Sequence, residues 1–318
     1  QVFKDVRREG AMNICVTGGA GFIGSHLVDR LIELGHDVLV IDNLSTGMRS
    51  FVHEDAQFIE MDVRDPKLLS VFEEFKPSIV FHEAAQTMVQ SSMENPSYDC
   101  DVNLIGLINV LDACRKVNVE QFLMPSSAAV YGDLAVLPLT EDLSGMPSSF
   151  YGLTKLTAEG YLRIYHEAFG LNTVCFRYAN VYGPRQGDGG EGGVISIFNR
   201  LIVEGQPLTV FGDGEQTRDF IYVDDVVDAN IKAMGNDQCT GIYNISTNKG
   251  TSVNELITRF RTISGTDFMV YYEDERIGDI KHSRLSNTKA ERDFGFIATT
   301  TLEDGLQKTL EYFKAHHK

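Results

Sequence analysis

"VTGGAGFIGSHLVDRL", running from Val16 to Leu31, decides the fold. β-Branched residues lead into it (Ile14, Val16), glycines follow at fixed spacing (Gly18, Gly21, Gly24), and an apolar stripe at Ile23, Leu27, Leu31 and Leu34 has a helical period. The pattern predicts strand, tight turn and helix. Glycines at such a turn let backbone approach a pyrophosphate and let the helix pack closely on the strand, with the helix N-terminus facing the anion. A glycine turn can also be purely structural, so a second signal matters. The next strand ends "VLVIDN", which puts Asp42 about twenty residues beyond the glycines, where a carboxylate accepts hydrogen bonds from an adenosine ribose diol. A carboxylate there repels a 2′-phosphate and no arginine follows immediately, so NAD is expected rather than NADP, although Arg49 lies a short way on.

The 318 residues, 43% of them hydrophobic, can bury a substantial core as one large domain or two modest ones. There is neither an apolar run long enough to span a membrane nor a charged-then-apolar leader with a cleavage site, which points to a soluble cytoplasmic protein with no membrane partner. Residues 1–11, "QVFKDVRREGA", look like a charged leader or remnant and are set aside from the fold. A net charge of −17 disfavours nucleic acid as a partner, since that needs clustered Lys and Arg, but leaves room for a small phosphorylated ligand. Five cysteines without C-x-x-C spacing read as reduced thiols, Cys15, Cys114 and Cys175 within apolar patterns. His82 and His166 read as packed or surface residues, no His/Cys cluster has zinc spacing, and no metal is predicted.

Short β-branched runs ("NICV", "DVLVI", "SIVF", "QFLMPS", "LNTVCFRY") alternate with amphipathic segments of helical length. That rhythm predicts an α/β fold, a Rossmann-type doubly wound parallel sheet with a smaller mixed α/β C-terminal substrate lobe. The texture changes after Tyr178, where "GPRQGDGGEGG" is a glycine-rich loop, and "RDFIYVDDVVDAN" again reads as strand then helix. The expected division is a dinucleotide-binding domain over 12–181 with a returning segment at about 216–246, and a substrate lobe over 182–215 and 247–318.

"PSSAAVYG" and "SFYGLTKLTAEGYL" add Ser126, Ser127, Tyr151 and Lys155. On a helix, Tyr151 and Lys155 share one face. A lysine ammonium beside a phenol lowers its pKa, so Tyr151 could take a proton from a sugar or alcohol hydroxyl near neutral pH, with the two serines completing a proton path at a strand's C-terminal end. Read alone, the pair is more readily an ordinary solvated helix face than a catalytic one; the glycine turn and Asp42 shift the balance.

"TGGAGFIG", "IDNLSTG", "FHEAAQ", "SSAAVYG", "YGLTK", "RYANVYGPRQ" and "GDGEQTRDFIYVDDV", in this order, resemble the extended short-chain dehydrogenase/reductase family, especially its UDP-glucose type nucleotide-sugar 4-epimerases, from Met12 to the end. The resemblance implies an NAD-dependent isomerase that removes a hydride from C4 of a UDP-hexose, lets the 4-keto sugar turn, and returns the hydride to its other face. It makes Tyr151 the base, has Lys155 hold the nicotinamide ribose, and has Ser127 bind the sugar's 4-hydroxyl. It assigns Gly18, Gly21, Phe22, Ile23, Gly24, Asp42, Asn43, Asp62, Val63, Phe81, Ala84, Ala85, Asn103, Ser126 and Tyr178 to the NAD site, with Asp62 on adenine. Asn180, Val194, Arg218, Arg276, Asp279 and Ser283 fall to the nucleotide-sugar site, where Arg forks suit phosphate oxygens. It also implies a homodimer through Pro96–Val117 and Phe150–Phe169, with Leu104, Ile108 and Leu111 as an apolar stripe.

Related 4,6-dehydratases carry a carboxylate just after the catalytic Ser/Thr. Ala128 and Ala129 stand there instead, which favours epimerisation and leaves dehydration as the alternative. A non-catalytic NAD-binding regulatory protein is a further reading, disfavoured by the presence of both Tyr151 and Lys155. The small Ser283, where enzymes restricted to glucose and galactose carry a bulky Tyr, leaves room for an N-acetylated sugar.

Overall fold

A computed structural model describes residues 10–187, 193–276 and 280–316. In chain order its strands are β1 (Asn13–Thr17), β2 (Asp37–Asp42), β3 (Gln57–Glu60), β4 (Ile79–His82), β5 (Gln121–Ser127), β6 (Asn172–Tyr178), β7 (Asn180–Tyr182), β8 (Leu208–Phe211), β9 (Thr217–Arg218), β10 (Phe220–Tyr222), β11 (Gly241–Ile245), β12 (Thr251–Ser252) and β13 (Val270–Glu273). Seven of them form one parallel sheet in the order β11-β6-β5-β4-β1-β2-β3. Its central strands are apolar on both faces because helices cover both, which is why they read as continuous apolar runs. The order reverses between β1 and β4, so a crevice opens beyond their C-terminal ends, at the opening glycine turn.

The helices are α1 (Phe22–Glu33), α2 (Leu68–Phe75), α3 (Val89–Glu94), α4 (Pro96–Cys100), α5 (Leu107–Val117), α6 (Phe150–Phe169), α7 (Val194–Val203), α8 (Val223–Ala233), α9 (Val253–Ser264), α10 (Thr288–Phe294) and α11 (Leu302–His316). One sheet face is covered by α1, α8 and α10, which supply Leu27, Leu31, Val226, Val227 and Ala290 to one core. The other is covered by α2, α5 and α6, through Phe72, Leu107, Leu111, Ala158 and Leu162. A third core gathers α7, α9 and α11 with Leu208, Val210 and Phe220. Each fully buried Leu or Phe stabilises by about 1.5–3 kcal/mol.

Two expectations need adjusting. Leu34 is not on the buried stripe; it caps α1 and is 51% exposed, whereas Leu27 and Leu31 are sealed. Leu111 belongs to the sheet-facing core, and it is Ile105, Leu153 and Ile164 that stand exposed on the outer faces of this helix pair. Between α4 and α5, Asp101–Gly106 winds as a π-helical turn, a widening that often accompanies functional sites. The segment 216–246 distributes itself: β9 pairs with β12 and β10 with β7, while α8 packs toward α1 and β11 joins the main sheet. Among the described residues no helix is long and apolar enough to cross a membrane.

Candidate active site

The glycine turn owes its shape to backbone crowding. A Cβ on Gly18, which has φ +72°, would lie 2.5 Å from the Ala84 nitrogen, and one on Gly24 would fall on the Gly18 carbonyl oxygen. Gly21, the N-cap of α1, offers no side-chain cap, and the first turn holds no acidic residue, so this helix end keeps its affinity for an anion. Asp42 ends β2 and is nearly buried; its carboxylate accepts from the Ala20 N–H at 3.0 Å and the Leu44 N–H at 2.8 Å. Leu44 sits in the left-handed region at φ +56°, a strain tolerated at binding loops.

Beside it, Asn43 donates to Asp62 at 2.8 Å, and Arg64 bonds Asp62 through both Nε and Nη2. The Arg64 fork holds the Asp62 carboxyl well below its ordinary range. Val63 is buried against the turn at Gly106. Arg49 stacks on the Phe58 ring, 4.5 Å from its centroid. These residues suit a dinucleotide: an anion-seeking helix end, a carboxylate for a diol, and an amide and carboxylate for a base. Phe22 and Ile23 are half-buried at the start of α1, and Ala84 and Ala85 half-buried beyond β4, whereas Phe81 is fully sealed in the core.

Tyr151 and Lys155 sit on the first turns of α6, whose N-cap Ser149 accepts from the Gly152 N–H. Ser92 of α3 accepts from the Tyr151 N–H at 3.0 Å, fixing the start of the helix. The Lys155 ammonium lies 6.0 Å from the Tyr151 ring centroid and donates to the Pro125 carbonyl at 2.9 Å, reaching over the end of β5. Here the chemistry departs from expectation. Burial pushes the Tyr151 phenol up to about 12, against a hydrogen bond with Ser127 that favours ionisation, and the Asp99 charge adds to the rise. Lys155 is not among the groups that acidify it in the protein alone; burial pushes the ammonium itself down, and one of its N–H groups donates to Pro125. The serines also divide their work: Ser127 caps the turn at Ala128–Val130 by accepting from the Ala129 N–H, while Ser126 donates to Glu159 at 2.7 Å rather than toward Tyr151.

In the third core's neighbourhood, Arg218 on β9 donates to the Thr217 and Lys281 carbonyls, and Asn180 is exposed at the start of β7. Val194 opens α7. Arg276 stacks on the Phe211 ring, its guanidinium carbon 3.8 Å from the centroid. Ser283 is nearly buried and donates its N–H to the Thr217 carbonyl, which lays this segment along β9. Asp279 lies outside the described residues. Among those described, no three His, Cys, Asp or Glu side chains gather as metal ligands.

Residues 14–246 match the family described as NAD dependent epimerase/dehydratase. The chain belongs to this family. It is 41% identical over 306 residues to a putative UDP-glucose 4-epimerase of Methanocaldococcus jannaschii, a span covering 96% of this chain and 99% of that relative. It resembles a solved Thermotoga maritima UDP-glucose 4-epimerase with UDP-glucose, at 42% identity and TM-score 0.93, covering 96% of this chain and 100% of that one. A UDP-N-acetylglucosamine 4-epimerase of Methanobrevibacter ruminantium M1 in complex with UDP-N-acetylmuramic acid is similar at 36% identity and TM-score 0.92, covering 96% and 99%.

Three buried networks of this epimerase/dehydratase-family chain escaped the sequence reading. Glu159, one turn beyond Lys155, forms a bidentate ion pair with Arg177 of β6, and both side chains are at most 5% exposed. Asp99 is fully buried and accepts from Gln86 (2.7 Å), Asn103 (3.2 Å) and Thr154 (2.8 Å), tying the π-helical turn and the loop beyond β4 to α6. The Tyr151–Lys155–Glu159 spacing could have flagged the first; nothing local marks the second. Asp219, also buried, accepts from Thr247 and the Leu285 N–H and so ties the strand after Arg218 to the segment after Ser283.

Proposed function

We propose that this chain is an NAD-dependent UDP-hexose 4-epimerase that interconverts UDP-glucose and UDP-galactose and also accepts the N-acetylated pair. The observation that carries it is the grouping of Ser127, Tyr151 and Lys155 at the C-terminal edge of a parallel sheet, beside a glycine turn and Asp42. Bound NAD supplies hydride acceptance and return at sugar C4. Tyr151 removes and restores the 4-hydroxyl proton, Ser127 orients that hydroxyl, and Lys155 holds the nicotinamide ribose. Burial holds the phenol near 12 in the protein alone, and the Ser127 hydrogen bond is the contact that favours its ionised form. Asp42, Asn43, Asp62 and Asn103 hold the dinucleotide; Asn180, Val194, Arg218, Arg276, Asp279 and Ser283 hold the UDP-sugar in a lobe built on the third core.

Ala128 and Ala129 supply no acid for sugar C5 or C6, so the 4-keto sugar has no route to water loss there. Two copies pair through α4, α5 and α6, where a groove of about 500 Å³ is lined by Pro96, Leu104, Ile105, Phe150 and Leu153. The test is to incubate the protein with UDP-, GDP- and TDP-sugars and resolve products by NMR. C4 epimers of UDP-hexoses are expected, and Tyr151→Phe should keep fold and NAD while losing about two to four decades of turnover. Wild-type protein that forms no C4 epimer, or a Tyr151→Phe enzyme of near-normal rate, would overturn the assignment.

A further inference from the structure

Glu83 is the residue that follows β4, at the point where the strand order reverses. Its N–H donates to the Thr17 carbonyl at 2.9 Å, and its backbone runs so close to the glycine turn that a Cβ on Gly18 would lie 2.7 Å from the Glu83 carbonyl carbon. The backbone therefore does the structural work at this position. The side chain does none that the structure reveals: although the residue as a whole is half-buried, Oε1 is sealed from water and has no hydrogen-bond partner. Two polar groups feel its charge, yet neither hydrogen-bonds Oε1, and each makes a bond to another residue. Lys155 donates to the Pro125 carbonyl, and the Tyr178 hydroxyl accepts from Asn230 at 2.7 Å. A sealed, unbonded carboxyl oxygen destabilises a fold, and native proteins keep one where something else completes it.

We infer that Glu83 is a cofactor-holding residue, its carboxyl exchanging a hydrogen bond with a polar group on the nicotinamide half of the bound dinucleotide, next to Lys155 and Tyr178. This rests on the NAD reading proposed above. Burial pushes the carboxyl up to about 7, with Lys155 pulling the other way, so near neutral pH the group can donate as well as accept. A site of this kind trades stability of the empty protein for grip on the ligand.

The test compares wild type, Glu83→Gln and Glu83→Leu. Each is prepared with and without NAD, followed by thermal unfolding and by NAD titration. Glu83→Leu removes the unbonded oxygen, so its NAD-free midpoint should equal or exceed the wild type's, while its NAD affinity falls about tenfold, the loss of one hydrogen bond with a buried partner left behind. Glu83→Gln keeps both a donor and an acceptor and should bind NAD within about threefold of wild type. A Glu83→Leu protein that loses NAD-free stability shows a structural role and overturns the inference, as does one that binds NAD like wild type. Wild type that takes up no NAD at all refutes instead the function on which the inference rests.

Discussion

Replacing Glu159 by glutamine removes one charge from the floor of the site with almost no change of shape. In the native protein Arg177 Nε and Nη2 donate to the two Glu159 oxygens at 2.9 and 2.7 Å, Ser126 adds a third hydrogen bond, and the side chains are 5% and 3% exposed. Glutamine leaves the guanidinium buried and uncompensated, which costs about 3–5 kcal/mol. At about 2 °C per kcal/mol, the lower end expected for a chain of this size, the unfolding midpoint should fall by about 6–10 °C. Arg163 and Glu167 provide the control: their contact is also 2.7 Å, but the side chains are 63% and 57% exposed, so Glu167→Gln should cost under about 0.5 kcal/mol, near 1 °C. The double variant Glu159→Leu with Arg177→Met removes both buried charges and should recover at least half of the loss. Circular dichroism melts at low and high salt decide the matter, since the buried pair is little screened. A Glu159→Gln midpoint within 2 °C of wild type, or equal to that of Glu167→Gln, refutes the claim that burial sets the magnitude.

Three further outcomes are expected. His82 is buried and bonded to Thr17, and burial with the Lys155 charge pushes it down to about 3, so the unfolded chain binds a proton near 6.5 that the native one refuses until far lower. Native stability should accordingly fall as pH drops below about 6.5, by up to about 1.4 kcal/mol per pH unit, and His82→Asn should flatten that slope in an acid titration followed by circular dichroism. Ile105→Asp with Leu153→Asp, both exposed on the proposed pairing face, should convert a dimer into a folded monomer by light scattering at micromolar concentration, whereas a monomeric wild type counts against the pairing. Ser283→Tyr should suppress turnover of UDP-N-acetylglucosamine while sparing UDP-glucose, because a ring filling that space clashes with the added acetamide; equal effects on both sugars sink the size argument.

The sheet was legible wherever burial on both faces leaves an unbroken apolar run, as at Ile14–Val16, Ile79–Phe81 and Phe122–Met124. Strand β3, "QFIE", lies at the sheet edge, has charged or polar ends and is nowhere fully buried, so its composition carries no such signature. Strand β11, "GIYNI", falls within the segment 216–246 expected to return to the first domain, but its partner could not be read: pairing with β6 is long-range and no local pattern encodes it. The glycine turn was legible from its spacing; one of its reasons is local, the collision of a Cβ on Gly24 with the Gly18 carbonyl, and the other, the approach of the Ala84 backbone to Gly18, comes from the end of β4.

Spacing alone placed Tyr151 and Lys155 on one face of a helix, and the structure keeps them there. Their proton affinities could not be read the same way. A lysine acidifies a phenol when it is charged and near; here burial disfavours the charged form of Lys155, which lies 6.0 Å from the ring and bonds a carbonyl, while the charge that Tyr151 does feel is the negative one on Asp99. Desolvation therefore outweighs the local pairing, and it comes from α3, the π-helical turn and β5 closing over the start of α6. Burial thus favours the neutral form of the Tyr151 phenol over the ionised one. Two glutamates near this sheet edge thus differ: Glu159 of α6 pairs with the buried Arg177 guanidinium, whereas the Glu83 carboxyl after β4 keeps one buried oxygen without a partner.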